Sequence, residues 1–122
     1  MMRDELVYLR HVLNAIERIE QYVEGVDEQA FRDRNLIQDA VIRQLEIIGE
    51  AVKRLPPVVR ETHSEIPWQD IAGTRDKLIH HYFGVSLDEV WLTVQKDLPM
   101  LKTGIIAILG EGGASRSGEN RT

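Results

Sequence analysis

The spacing of the apolar residues is the feature that most constrains this chain. Apolar side chains recur every three or four residues from Tyr8 to Tyr22, and the same spacing returns from Ile37 to Leu55. Residues at that spacing share one face of an α-helix, whereas a strand would show strict alternation. No alternating run of strand length occurs in the sequence. The pattern therefore predicts an all-α fold in which each helix buries one face.

The first two helices have recognisable ends. Gly25 suits the end of a first helix that begins at Asp4, and Asp33 can cap a second helix that stops at Pro56. Gly49 lies inside this second helix, where it costs ~1 kcal/mol relative to alanine. Two interpretations of this glycine stay open: another helix approaches closely there, or the glycine has no packing role.

A short connector leads to the third helix. Pro56 and Pro57 at its head and Pro67 at its foot leave room for one short turn of helix. Pro67 suits the first turn of a third helix that runs toward His81, and Gly84 suits its end. The connector thus separates two long helices.

Ser86 and Glu89 form a capping box, which predicts the start of a fourth helix. Pro99 lies inside this helix, but the apolar spacing continues on both sides, so we expect a kink and not a reversal. Residues 1–109 are expected to form one up-and-down bundle of four main helices plus the connector helix. Residues 110–122 are mostly small or polar and are expected to be a disordered tail.

Composition limits the possible chemistry and location. The chain has no cysteine, which excludes disulfides, thiolate catalysis and zinc sites built on sulfur. Its formal charge of −5 argues against a broad basic surface, so any contact with RNA has to be local. The sequence shows neither the apolar core of a signal peptide nor a run of about 18 apolar residues. A cytoplasmic protein without a membrane partner is expected.

The segment most informative about chemistry covers residues 75–82. In it, Arg75 is followed after four residues by His80 and, after one more, by Tyr82. This string resembles the signature of the HepT-like branch of the HEPN superfamily. Three flanking stretches match in the same order, and the resemblance extends from about Arg3 to Leu109. These stretches are residues 39–51, 63–68 and 90–99.

The resemblance implies a homodimeric toxin that cleaves RNA, such as tRNA or mRNA, without a metal ion or cofactor. Arg75 and His80 are the catalytic residues that it implies. It also implies a type VII-like toxin–antitoxin system, in which a nucleotidyltransferase antitoxin of the MntA kind adenylylates Tyr82. Asp76, where the family often has asparagine, would be a supporting polar residue that orients His80.

These residue types suit RNA cleavage without a metal. The reaction needs a group that takes the proton from the ribose 2′-hydroxyl, a group that protonates the leaving oxygen, and positive charge on the phosphate. At about 100° per residue, however, His80 lies roughly 140° around the helix from Arg75. Either the helix ends or distorts near Ile79, or two copies of the chain share the site. We expect the second arrangement.

The same residues also have explanations without chemistry. Adjacent histidines such as His80 and His81 commonly interact with the last carbonyl groups of a helix. Arg75, Asp76 and Lys77 can form an ordinary solvated charge cluster. Two alternative functions stay open: a non-catalytic helical module that binds a nucleotidyltransferase or its substrate, and a purely structural dimer in a larger complex.

Other polar and aromatic residues are expected to lie outside the catalytic site. A polar stripe along the second helix is expected to be paired and solvated, although it could instead line the catalytic cleft. Two histidines are expected at the surface, and two tryptophans in the core or an interface. The stripe is Asp39, Arg43, Glu46 and Glu50, and the other residues are His11, His63, Trp68 and Trp91.

Overall fold

The structure, a computed structural model, describes residues 3–80 and 86–120, and within them the side chains of residues 4–78 and 86–110. These residues contain no strand, which confirms the all-α prediction. The helical elements are α1 (Arg3–Tyr22), α2 (Glu28–Asp33), α3 (Asn35–Arg54), α4 (Pro57–Thr62), α5 (Trp68–His80), α6 (Leu87–Leu92), a π-helical turn (Thr93–Asp97) and α7 (Leu98–Asn120).

The long helices pack around α3. This helix contacts α1 on one side and α5 on the other, and α7 packs against α1. The apolar faces predicted from the spacing meet in one core, in which Val12, Ile48 and Ile105 have no exposed surface. The predicted bundle of four main helices thus corresponds to α1, α3, α5 and the continuous segment from α6 to α7.

The link between α1 and α3 differs from the prediction. Gly25 has φ of +71°, as suits a residue that ends a helix, but Asp33 is not the cap of α3. A short helix, α2, precedes it, and the side chain of Asp27 accepts a hydrogen bond from the Ala30 amide at 2.8 Å. Tertiary contact stabilises this helix, because Phe31 is fully buried. Such contact is invisible to local sequence patterns.

The connector and the start of α5 agree with the prediction. The connector holds α4, and α5 begins immediately after Pro67. Trp68 is buried, and its indole Nε1 donates to the carbonyl oxygen of His63 at 2.9 Å, which ties the connector to the first turn of α5. The predicted end of this helix at Gly84 lies outside the described residues, and so does His81.

The segment after α5 continues past Pro99 as predicted. Ser86 caps α6, and its hydroxyl accepts a hydrogen bond from the Glu89 amide. The local distortion is a π-helical turn just before the proline, in which the Leu98 amide donates to the Thr93 carbonyl. Because proline lacks an N–H and its ring clashes with the carbonyl four residues earlier, a π-helical turn accommodates it within a continuing helix.

The last helix, α7, extends across the predicted domain boundary at residue 109. Ile108 and Leu109 are the last described side chains that pack in or against the core, and the helix itself continues to Asn120. The division at residue 109 and the disorder of residues 110–122 stay predictions. Along the described helices, no segment is both long and apolar enough to cross a membrane.

Candidate active site

Gly49 allows α5 to approach α3 closely at Arg75. A Cβ atom at position 49 would lie 2.1 Å from Cβ and 2.6 Å from Cγ of Arg75, far inside van der Waals contact. Of the two interpretations left open by the sequence, close helix approach is therefore correct. The glycine determines how near the first residue of the Arg-to-His motif lies to α3.

The guanidinium of Arg75 is held by Glu50, the residue after that glycine. Arg75 Nη2 lies 2.9 Å from Glu50 Oε2, while Arg54 Nη2 lies 3.1 Å from Glu50 Oε1. Each oxygen of one carboxylate thus binds a different arginine. About a quarter of the Arg75 side chain is exposed. The site therefore contains two guanidinium groups on either side of one anion, and both remain accessible from solvent.

Asp76 forms the second link between α5 and α3. Its Oδ1 atom lies 2.5 Å from Nζ of Lys53 and 3.5 Å from Nη1 of Arg75. The hydrogen bond from Lys53 is the largest cause that lowers the pKa of Asp76, with partial desolvation opposing it. Asp76 is therefore ionised at neutral pH, and its negative charge is compensated by a neighbouring lysine.

A groove of about 430 Å³ opens beside Arg75 between α1 and α3. Part of the polar stripe on α3 lines this groove. Glu50 is paired and partly exposed, as expected for this stripe, while the role of the stripe in a catalytic cleft stays a prediction. The groove is lined by Tyr8, His11, Arg43, Glu46, Ile47, Glu50, Ala51, Arg54 and Arg75.

Sequence reasoning missed the contributions of Tyr8 and Arg54 to this groove. Tyr8 belongs to the predicted apolar face of α1 and packs against the core, but it is only half-buried and also lines the groove. A signal for Arg54 was present, because Glu50 and Arg54 are four residues apart on a predicted helix and can form an ion pair. His11 is exposed as predicted, and it also lies on the groove.

The structure places the predicted catalytic pair only in part. Arg75 is fully described, His80 is the last residue of α5 with its side chain outside the described set, and Tyr82 lies outside the described residues. α5 is described as helical up to His80, one residue past Ile79, and residues 81–85 lie outside the described residues, so both expected arrangements, a helix that ends or distorts near Ile79 and a site shared by two copies, stay predictions. The five-residue separation still places Arg75 and His80 at different positions around the helix.

The two tryptophans that were predicted to lie in the core or an interface are both outside this groove. Trp91 is half-buried and packs against Phe31 with ring centroids 5.1 Å apart, which confirms a packing role. Trp68 is buried, as described above. Among the described side chains, no group of three or more histidines and carboxylates is positioned to hold a metal ion.

Comparison with known proteins identifies the family. Residues 12–108 match the family model described as "Ribonuclease HepT-like", and the motif residues lie within that range. The chain belongs to the HepT-like ribonuclease family. The resemblance inferred from the Arg-to-His motif and its flanks is thereby confirmed.

Curated relatives agree with this assignment. The HepT-like chain is 48% identical over 111 residues to a Methanocaldococcus jannaschii protein named as a gamma-glutamylcyclotransferase and candidate RNase. That match covers 91% of this chain but spans only 50% of the relative. A candidate RNase of Caldanaerobacter subterraneus is 44% identical over 108 residues, covering 88% of this chain and 96% of its own.

A third relative carries the family name itself. The protein named "Probable ribonuclease HepT" from Thermococcus cleftensis is 46% identical over 102 residues, covering 84% of this chain and 93% of its own. These names support ribonuclease function in the family. No solved structure matches the chain significantly.

Proposed function

We propose that this HepT-like protein is a metal-independent endoribonuclease, and that it is the toxin of a type VII-like toxin–antitoxin system in the cytoplasm. The observation that carries the proposal is Arg75, the first residue of the family motif, held with its guanidinium at the edge of a cationic groove. The names of the relatives support RNA as the substrate class.

In the proposed reaction, the ribose 2′-oxygen attacks the adjacent phosphorus and the 5′-oxygen leaves. The 2′-hydroxyl loses a proton and the leaving oxygen gains one, so the products are a 2′,3′-cyclic phosphate and a 5′-hydroxyl. His80 is suited to move these protons because histidine titrates near neutrality. Arg75 stays charged and can donate two parallel hydrogen bonds to the phosphate oxygens.

The proposed active form is a homodimer. Positions 75 and 80 both lie on α5, and at about 100° per residue they are roughly 140° apart around a regular helix. Two chains related by a two-fold axis can bring Arg75 of one copy near His80 of the other. The same contact would place two arginines at one phosphate site. A monomer with full ribonuclease activity would contradict this arrangement.

The proposed control is adenylylation of Tyr82 by a nucleotidyltransferase antitoxin of the MntA kind. In this step the tyrosine oxygen attacks the α-phosphorus of ATP, pyrophosphate leaves and the phenolic proton is lost to solvent. The product carries a bulky anionic group two residues from His80, which would repel an incoming RNA phosphate. Tyr82→Phe should remain a nuclease and escape the antitoxin. Full rescue of growth by the antitoxin against that variant would rule out this mechanism.

The deciding experiment is cleavage of mixed cellular RNA and single tRNAs by purified protein with excess chelator. We expect the wild type to cut, and His80→Ala to lose activity by about 100- to 10,000-fold, the usual contribution of a general acid or base. His81→Ala removes the neighbouring histidine, which has no role in the motif, and is the matched control.

Each outcome of this experiment has a defined meaning. Loss of cleavage in His80→Ala alone, with helicity unchanged by circular dichroism, supports the catalytic assignment. Equal activity of His80→Ala and the wild type contradicts it. If a folded wild type cuts no RNA but captures a nucleotidyltransferase, the non-catalytic binding module is the correct function.

A further inference from the structure

We propose that the α1–α3 groove is an RNA-binding subsite next to the catalytic phosphate, and that Glu50 is the anion that the RNA displaces when it binds. The catalytic phosphate would take the place of the Glu50 carboxylate between Arg54 and Arg75, and the subsite would hold the neighbouring base together with a second phosphate, which Arg43 contacts. This inference rests on the proposed ribonuclease function, because Arg75 belongs both to the motif and to the wall of the groove.

The first argument is the local charge. Three arginines and two glutamates line the groove, although the whole chain carries a formal charge of −5. Arg43 is exposed, and among the described residues it has no ion-pair partner. An acidic protein that binds RNA needs such a local site, since phosphate affinity depends on clustered lysines and arginines.

The second argument is the arrangement around Glu50. Its two oxygens bind two guanidinium groups at 2.9 Å and 3.1 Å, the way the two free oxygens of a phosphodiester would bind them. The carboxylate therefore holds Arg54 and Arg75 at a spacing that suits a bridging oxyanion. When RNA enters, its phosphate can replace the carboxylate without moving the arginines far. Glu50 also lowers the affinity, because it competes for the same donors.

The third argument is the aromatic wall. Tyr8 lines the groove beside Arg54, and the hydrogen bonds that Arg54 donates to the Glu50 carboxylate and then to the Tyr8 oxygen raise the pKa of that arginine. An aromatic ring next to an arginine is the combination that binds single-stranded RNA, with a base stacked on the ring and a phosphate on the guanidinium.

The size of the groove favours one nucleotide over a duplex. Its volume of about 430 Å³ lies within the roughly 300–1,000 Å³ of sites for small ligands. Proteins recognise an RNA duplex across the wide, shallow minor groove of the RNA, while its bases stay paired inside. A protein groove between two helices that accepts one base therefore fits an unpaired nucleotide and not a duplex. A single strand passing over Arg75 can place its neighbouring nucleotide here.

The test measures binding of a labelled, short single-stranded oligoribonucleotide by fluorescence anisotropy, with every variant carrying His80→Ala so that cleavage does not interfere. Arg43→Gln should weaken binding and reduce the slope of log affinity against log salt by about 0.7, the value for one phosphate contact on a single strand. Arg18→Gln removes the same charge from an exposed position of α1 outside the groove, and should leave the slope unchanged.

Two further variants test the aromatic wall and the competing carboxylate. Tyr8→Leu keeps an apolar side chain but loses stacking, and should weaken binding by at least about fivefold. Glu50→Gln retains an acceptor for arginine while losing the negative charge, so it should bind RNA more tightly than the wild type does. Glu61→Gln, an exposed position on α4, controls for the change in net charge.

The outcomes separate this inference from the proposed function. The subsite is overturned if Arg43→Gln and Arg18→Gln change RNA affinity and its salt slope equally. It is also overturned if Glu50→Gln binds RNA no more tightly than Glu61→Gln does. Neither result affects cleavage by the wild type. Failure of the wild type to cut RNA, in the absence of the His80 substitution, would instead reject the ribonuclease. Failure to bind any single strand rejects both.

Discussion

Replacing Gly49 by alanine tests how closely α5, the helix that carries the proposed catalytic residues, must approach α3. The new methyl carbon would lie 2.1 Å from Cβ of Arg75 and would need at least about 3.5 Å, so α5 would have to move by roughly 1.4 Å. Overpacking of this kind costs about 1–3 kcal/mol, and the better helix propensity of alanine returns about 1 kcal/mol. We therefore expect the free energy of unfolding to fall by up to about 2 kcal/mol.

Activity should suffer more than stability in this variant. A displacement of about 1 Å at a catalytic group can cost roughly 100-fold in rate, so RNA cleavage should fall by about that factor in a protein that is still folded. Urea denaturation followed by circular dichroism gives the stability, and cleavage of a labelled RNA gives the rate.

Gly73→Ala is the matched control for this substitution. Gly73 lies inside α5, and a Cβ there would have no neighbouring atom within 4 Å. The control should be more stable than the wild type by up to about 1 kcal/mol and should retain activity. The two variants should then differ by about 1–3 kcal/mol, which is the packing cost alone. Equal stability and equal activity of the two variants would refute the argument from close approach.

Three other predictions concern stability. The pKa of Asp76 is lowered in the folded state, so its charge stabilises the fold above the unfolded pKa, and this contribution is lost as the pH falls through the folded pKa. Asp76→Asn should therefore lower stability at pH 7, and urea denaturation over a range of pH should show a smaller loss as the solution is acidified. Burial, followed by repulsion from Asp70, raises the pKa of Asp97, so the charged carboxylate destabilises the folded state at neutral pH. Asp97→Asn should therefore stabilise the protein at pH 7 and have no such effect below the unfolded pKa; a loss of stability at pH 7 in urea denaturation would contradict this sign. Phe31→Ala should cost about 3–5 kcal/mol because the ring is fully buried, and a loss under 1 kcal/mol in thermal or urea unfolding would show that α2 does not depend on it.

The long helices were predictable because each contains a long run of apolar residues at intervals of three and four. The short helix α2 was not, because six residues provide little local signal and its stability comes from elsewhere in the chain. Phe31 reaches Trp91, and the amide of Gln38 donates to the carbonyl oxygens of Phe31 and Arg32 at 2.8 Å and 2.9 Å. Contacts between residues far apart in sequence cannot be read from periodicity.

Only the part of the candidate site that lies on α5 was predictable from the sequence. The motif identifies Arg75 on α5, but the residues that hold it lie about 25 positions earlier, on α3. Gly49 was the one sequence feature that pointed to this contact, since glycine inside a helix needs a reason. It could not show which residue approaches, so Glu50 remained one member of a polar stripe with no assigned partner. The register between the two helices had to come from the structure.

That register also explains how Asp76 is tolerated beside the proposed phosphate site. On α3, Glu50 lies opposite Arg75 and Lys53 lies opposite Asp76, so each helix presents an acid to a base of the other. A shift of α5 along α3 would break both pairs. The asparagine that often follows the motif arginine in this family would need no such cation. The carboxylate here is matched by Lys53 at 2.5 Å, so its charge stabilises the register and does not act alone on an incoming phosphate.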